Sequence, residues 1–257
     1  MKLKSTTILQ LMLLFISLQT ACRKEEQQEK KEEANGPVLP VKFESQSRII
    51  LLKYLPNTNL LSQIEDKSGT KEVIRYTKDQ LINGFESYEN GKLVYTADFF
   101  RDEKQRLITV NQFKENGPVS TPTGYYTLEY NSADQVSKIK SYNPGKKLLS
   151  SKTLLYDELS NLVNEQIDFP LPQESNSYRY DQKKGICSAI ANAFILSLES
   201  RHKFFASAAH NLLSREGTIA AKNFTFLYQY KTNDYPDQFT LTGQNAETFQ
   251  ITYQPAP

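Results

Sequence analysis

The sequence predicts a mainly β protein: a single long, curved antiparallel meander of repeated hairpins, open or barrel-like, with one short helical or irregular apolar insertion near 186–216. Three observations predict it. Runs such as SRIILLKYL and KEVIRYT alternate with turn clusters such as DKSGTK, ENGK, KENGP and NPGKK, the pattern of strands joined by hairpin turns. The composition holds 15 Tyr and 14 Phe with no Trp and only two Met, which leans toward strand. A tyrosine-anchored motif also returns along the chain, and a repeat at this period points to stacked supersecondary units.

At the N-terminus, MKLKSTTILQLMLLFISLQTAC has two lysines, an apolar run from Ile8 to Leu18 and small residues before Cys22. That is the order of a secretory signal, residues 1–21. About 11 apolar residues are too few for a spanning helix, which needs roughly 20. The stretch ending at Ala21-Cys22 resembles the lipobox of bacterial lipoproteins, with Gln19 where Leu is usual. The resemblance implies cleavage before Cys22 and lipid attachment to it, and two or more acyl chains hold a protein stably at a bilayer. CRKEEQ then resembles the surface-export signal of Bacteroidota-type lipoproteins, carried by Lys24, Glu25 and Glu26. It implies a place on the outer membrane facing the exterior, with the periplasmic leaflet as the alternative. Residues 22–40 read as a flexible charged tether, since Arg23–Glu33 is nearly all charge and Gln and buries too little to order itself. A β-repeat domain is expected over 41–257.

The formal charge is +2, and loss of Lys2 and Lys4 with the signal leaves the mature chain near neutral. Nucleic acid is therefore not an expected partner, because phosphate binding needs a basic face. Of the two cysteines, Cys22 is assigned to lipid, so Cys187 has no partner for a disulfide. Within GICSAIANAF it reads as a buried small hydrophobe.

The repeat has a frame. Tyr130 is followed by Val136, Ile139 and Tyr142, and the same spacing gives Arg101, Leu107, Val110 and Phe113. Further copies open at Tyr54 (to Leu60), Tyr156 (to Leu162), Tyr180 (to Ile186) and Tyr230 (to Pro236), and a copy one residue short runs from Tyr76 to Leu81. Each reads as a strand ending at the aromatic, a polar turn, and a return strand opening at the aliphatic. Tyr is expected on one face and the aliphatics on the other. One hairpin cannot bury its apolar face alone, so neighbours must stack edge to edge. Asp157 and Asp181 read as turn-starting residues whose carboxylates cap backbone donors. Over residues 50–253 these units resemble tyrosine-aspartate repeats, and more particularly Bacteroidota lipoproteins of unknown function built from a strongly curved antiparallel sheet. Only Tyr156-Asp157 and Tyr180-Asp181 keep the dipeptide, and the resemblance supplies no catalytic residue.

From Ile186 to Glu216 the repeat stops. Ile190, Phe194, Leu198, Phe204, Phe205, Ala208 and Leu212 fit helical spacing, and one or two short helices covering the concave face of the sheet are expected. His202 and His210 lie there, about 12 Å apart along a helix, too far to share one metal. No metal-ligand motif, nucleophile elbow, phosphate loop or dinucleotide fingerprint occurs, so neither cofactor nor metal is expected. Glu129 and Glu165 occupy strand positions where solvent-facing acids are ordinary. The expectation is a lipid-anchored, non-catalytic β-repeat lipoprotein that binds or scaffolds an extracellular protein or glycan. The alternatives are a glycan-binding accessory of a nutrient-uptake system, because Tyr-rich faces can stack on sugars, and a hydrolase whose site lies where 186–216 meets the sheet.

Overall fold

Alternation of polar and apolar residues, punctuated by turns, builds sixteen strands among the described residues. The computed structural model describes residues 36–191, 193–202, 209–243 and 246–257. The strands are β1 (Val38–Glu44), β2 (Ile49–Tyr54), β3 (Leu61–Asp66), β4 (Thr70–Tyr76), β5 (Ile82–Glu89), β6 (Lys92–Arg101), β7 (Leu107–Asn116) and β8 (Val119–Tyr130). They continue as β9 (Val136–Tyr142), β10 (Leu148–Tyr156), β11 (Leu162–Phe169), β12 (Glu174–Tyr180), β13 (Leu212–Gly217), β14 (Phe224–Tyr230), β15 (Pro236–Thr242) and β16 (Glu247–Pro255). Each pairs antiparallel with its sequence neighbours, and β1 pairs with β16, so the meander closes into a barrel. β1 begins inside the expected tether. It accommodates Pro40 at an irregularity between Pro40 and Lys42, where the ladder needs no proline N–H.

One rim carries the repeat. Here the chain enters at Val38 and leaves at Pro257, and the turns 77–81, 102–106, 131–135, 157–161 and 231–235 share one geometry. The first N–H donates to the fifth carbonyl (2.9–3.0 Å) and the fourth N–H donates back to the first carbonyl (2.9–3.2 Å). The fourth residue is left-handed in each: Gln80, Gln105, Asp134, Ser160 and Asp234 have φ between 56° and 67°. The Tyr76 unit is therefore not short, since its turn ends at Leu81 and Ile82 opens the strand. The Tyr54 unit is one residue long, with Leu61 opening β3. As the sequence predicts, Asp157 caps its turn, its Oδ1 accepting from the N–H of Leu159 (3.0 Å) and of Asn161 (2.8 Å).

Between successive near-rim hairpins the backbone ladder runs out early. The β3–β4 pairing ends at Gln63–Val73, which leaves the Leu61 carbonyl without a ladder partner. The Tyr76 hydroxyl donates to it at 2.7 Å. The same stitch recurs around the barrel. Tyr54, Tyr130, Tyr156, Tyr180, Tyr228 and Tyr253 donate to the carbonyls of Pro40, Leu107, Val136, Leu162, Leu212 and Pro236 at 2.7–3.0 Å. Arg101 donates to Ile82 at 2.8 Å in the β6 unit. Aromatics and aliphatics were expected on opposite faces. Instead, each ring keeps the two-residue alternation of its own strand, as Tyr54 does with Ile50 and Leu52 and Tyr130 with Tyr126 and Leu128, and so packs inward against the same core as the aliphatics; the irregularity falls on the return strand.

The core is therefore the bore of the barrel. Leu39, Phe43, Leu61, Ile64, Ile82, Phe85, Val110 and Phe239 are buried in it. A barrel of this many strands is wide enough to leave a channel, and a plug enters it, with Ile186, Cys187, Ile190, Ala193 and Leu196 buried in the core among the described residues. The plug is spliced into a repeat turn between β12 and β13. The Asp181 N–H bonds the carbonyl of Asn211 (3.1 Å) as that of Asp157 bonds Asn161 (3.0 Å). The Asn211 amide reaches the Asp181 carboxylate (3.1 Å) as the Asn161 amide reaches Asp157 (2.9 Å). Within the plug, helix α1 (Ala193–Glu199) buries Ala193 and Leu196. The expected insertion ends earlier than residue 216. Leu212–Glu216 belong to β13, whose inner residue Leu212 continues the strand alternation rather than a helical stripe. Phe204, Phe205 and Ala208 lie outside the described residues.

The outer wall is polar. Lys53 pairs with Glu65 (3.1 Å), Arg75 with Glu86 (3.4 Å) and Asp98 (2.7 Å), and Lys140 with Glu129 (2.6 Å). Three exposed apolar residues on it each stand opposite a polar one: Phe100 opposite Thr109, Leu155 opposite Asn164, Leu227 opposite Thr240.

Candidate functional site

The end of α1 and the two residues after it meet the wall through two buried carboxylates. Glu199 closes α1 and accepts the hydroxyls of Tyr95 and Tyr126, both at 2.6 Å. Glu72, 2% exposed on the inner face of β4, accepts the Ser200 hydroxyl (2.6 Å) and the Arg201 N–H (3.1 Å) and forms an ion pair with the Arg201 guanidinium (3.5 Å). Burial raises the pKa of both acids against the pull of these donors. For Glu72 desolvation outweighs even the arginine. Arg201 continues outward to the Ser87 hydroxyl (3.2 Å) and Glu89 (3.4 Å). The contact is a set of satisfied bonds that fixes the end of α1 against the wall.

Beyond it lies a cavity of about 530 Å³ at the far rim, lined by Arg48, Arg201, His202, Lys222, Glu247 and a phenylalanine floor. The floor is interlocked. Phe239 packs 5.1 Å from Phe249 and 5.7 Å from Phe226, and Phe224 packs 5.5 Å from Phe226. The cations over it are already paired. Arg48 bonds Asp66 (2.9 Å), reaches Glu247 (3.6 Å) and lies 6.0 Å over the Phe249 ring. Lys222 reaches Glu174 (3.5 Å). Burial works to raise Asp66, but the Ser68 donors and the Arg48 guanidinium outweigh it and hold the carboxyl below its ordinary value. His202 is buried, and burial together with Arg48 lowers its pKa to about 4, so it is neutral at physiological pH. A cavity of balanced charges over buried rings suits a polar, uncharged group rather than a strong anion.

Of the residues singled out in the sequence, Cys22, Lys24, Glu25 and Glu26 lie outside the described residues. Cys187 is fully buried in the core, its thiol pushed up by desolvation. The two histidines are separated. His202 lines the far-rim cavity, whereas His210 Nδ1 sits 3.0 Å from Asn161 Oδ1 at the near rim. Glu129 faces out, paired with Lys140. Glu165 does not: it points into the bore opposite Leu154 and bonds the Asn176 amide (2.8 Å) and Lys152 (3.3 Å). Sequence reasoning missed Glu72, although its alternation with Ile74 and Tyr76 already placed it on the inner face.

No protein-family model matches this chain, and no curated protein does. Solved structures are similar in fold. A porin-like protein from Bacteroides uniformis aligns over 86% of this chain and 99% of its own at a TM-score of 0.52 and 10% identity. A porin-like protein from Bacteroides vulgatus aligns over 85% and 100% at 0.50 and 10%.

Proposed function

We propose that this protein is a lipid-anchored, non-catalytic binding barrel, held at the outer membrane through Cys22 and standing in water rather than within the bilayer. One observation carries the reading: the polarity of the barrel is the reverse of a spanning one. A transmembrane barrel turns an apolar band of about 25 Å toward lipid and keeps a polar lumen. Here the wall bears ion pairs, and the plugged bore is lined mainly by apolar residues, with Glu72, Glu165 and Glu199 each bonded to polar partners within it. Such a barrel needs a tether to stay at a membrane, and the lipobox-like Cys22 supplies one. Lys24, Glu25 and Glu26 act as the export address in this reading.

The glycan alternative drew on tyrosine faces, but seven of these rings are turned inward with their hydroxyls bonded to strand carbonyls. The hydrolase alternative drew on the plug–wall contact, where the two carboxylates hold the plug in place. Both considerations favour the binding reading, with a protein or glycan partner at the far rim.

The test exchanges residues 1–21 for a signal cleaved without lipidation and adds Cys22→Ala. A tethered barrel becomes soluble with an unchanged β circular-dichroism spectrum. Retention in washed membranes would overturn the reading, because a spanning barrel stays in the bilayer without its lipid.

A further inference from the structure

A second cavity, of about 300 Å³, lies at the near rim between the plug and β8–β12. Its walls are Leu128, Val136 and Leu162 from the barrel, Phe194 and Ile195 from α1, and the rings of Tyr130, Tyr156 and Tyr180. The tyrosines offer only their faces, since each hydroxyl is already spent on a strand carbonyl at 2.7–3.0 Å. Polar lining comes from the near-rim turns at the mouth, from Asp134, Gln135, Ser160 and Asn161. The slot is thus apolar along its length and polar at its opening.

We propose that this slot takes up the fatty-acyl chain of a lipid, with the headgroup left among the turn residues at the mouth. The inference rests on the tethered reading for its source, the membrane. Three features select this occupant. The walls offer apolar surface with polar groups confined to the mouth, which disfavours a sugar or peptide backbone, because burying an unbonded polar group is costly. The volume suits a chain, since an apolar cavity of about 150 Å³ takes up a benzene and twice that volume holds about a dozen carbons. The mouth also opens at the near rim, where β1 begins at Val38, 16 residues after Cys22 in the sequence.

The test titrates dodecanoate, below its micelle-forming concentration, into the full-length chain made soluble by Cys22→Ala and the exchanged signal, read by calorimetry and native mass spectrometry. One dodecanoate per chain is expected. Ile195→Trp, which fills the slot, should weaken binding at least tenfold, and Leu162→Phe should do so by a smaller factor if the tryptophan variant misfolds. Leu227→Trp on the outer wall should leave binding unchanged. No binding by the folded parent chain, or binding that survives slot filling in a variant with an unchanged melting curve, would overturn the proposal. Membrane retention is scored separately. A chain that binds dodecanoate yet needs no Cys22 for membrane association would refute the tether and leave the slot standing.

Discussion

The two rims of the barrel are built on different principles. At the near rim one turn geometry recurs, and each unit is stitched to the next by a tyrosine or arginine reaching a carbonyl that the ladder leaves over. At the far rim the turns vary in length, from two residues between β5 and β6 to six between β13 and β14, and local ion pairs replace the stitch. Arg48, Asp66 and Glu247 belong to this rim, as do Lys222 and Glu174. The difference separates two tasks. Repetition at the near rim closes the barrel and receives the plug, while the irregular rim is free to shape a cavity. Loss of a near-rim bond should therefore be felt globally, and loss of a far-rim pair locally.

The largest expected effect is at the junction of repeat and plug. The Asp181 carboxylate accepts the N–H groups of Lys183 (3.0 Å) and Asn211 (3.1 Å), the Asn211 amide (3.1 Å) and the Tyr230 hydroxyl. Its loss leaves several donors unpaired where the insertion leaves and re-enters the wall. Asp181→Ala should lower stability by about 3 kcal/mol in urea unfolding, since bonds to a charged group are worth roughly 1.5–3 kcal/mol each and do not add fully. The equivalent Asp157→Ala removes a cap from a turn that carries no plug and should cost about half as much. Equal costs would mean that the plug is held by its apolar contacts alone.

This hierarchy explains what was legible in the sequence. The Tyr-to-aliphatic interval could be read because the five-residue turn fixes it, and Asp157 and Asp181 could be read as caps because an aspartate followed by polar residues after a strand has few other uses. The inward direction of the tyrosines was missed although Tyr54, Tyr76 and Tyr130 alternate with Leu52, Ile74 and Leu128 on their own strands; the return strands obscured it, because an extra residue there spaces the inner aliphatics by three, from Leu61 to Ile64 and from Val136 to Ile139, and a one-residue slip reverses every face. The far-rim cavity was hidden for a related reason. Arg48 and Lys222 sit on turns of unlike length, Glu247 opens β16, and the three meet only because the sheet closes β1 onto β16. Glu199 was hidden by the plug, because nothing in a helical stripe says that its last acid will meet Tyr95 and Tyr126, about 70 to 100 residues away.

An intermediate effect separates plug from rim by pH. Glu199 has a folded pKa raised above its ordinary 4.5 by burial. Its ionised form thus works against the fold, and the fold gains stability as pH drops through that raised value. Asp66 has the opposite sign. Its lowered folded pKa gives stability that is present above 3.8 and lost as pH falls further. Glu199→Gln should therefore be more stable than the parent at neutral pH, an advantage that shrinks to nothing below about pH 4. Asp66→Asn should be less stable at neutral pH, and its deficit should narrow only in stronger acid. Chemical unfolding of the three chains across this range checks both signs, and a pH-independent offset for Glu199→Gln would place that carboxylate in solvent.

The smallest effect asks whether turn behaviour follows place or geometry. A left-handed conformation strains a residue with a Cβ, whereas glycine adopts it freely at some cost in unfolded-state entropy. Gln105, at φ 63° in a near-rim turn, should be improved by Gln105→Gly by at most about 0.5 kcal/mol once that entropy is counted. The far-rim turn 143–147 repeats the same bonds, Asn143 N–H to Lys147 carbonyl and Lys146 N–H to Asn143 carbonyl, both at 3.0 Å, with Lys146 at φ 63°. If geometry decides, Lys146→Gly will match Gln105→Gly in sign and size when melting curves are compared. If membership in the stitched rim decides, only the near-rim substitution will register, because a far-rim turn that frays on its own contributes little to global unfolding.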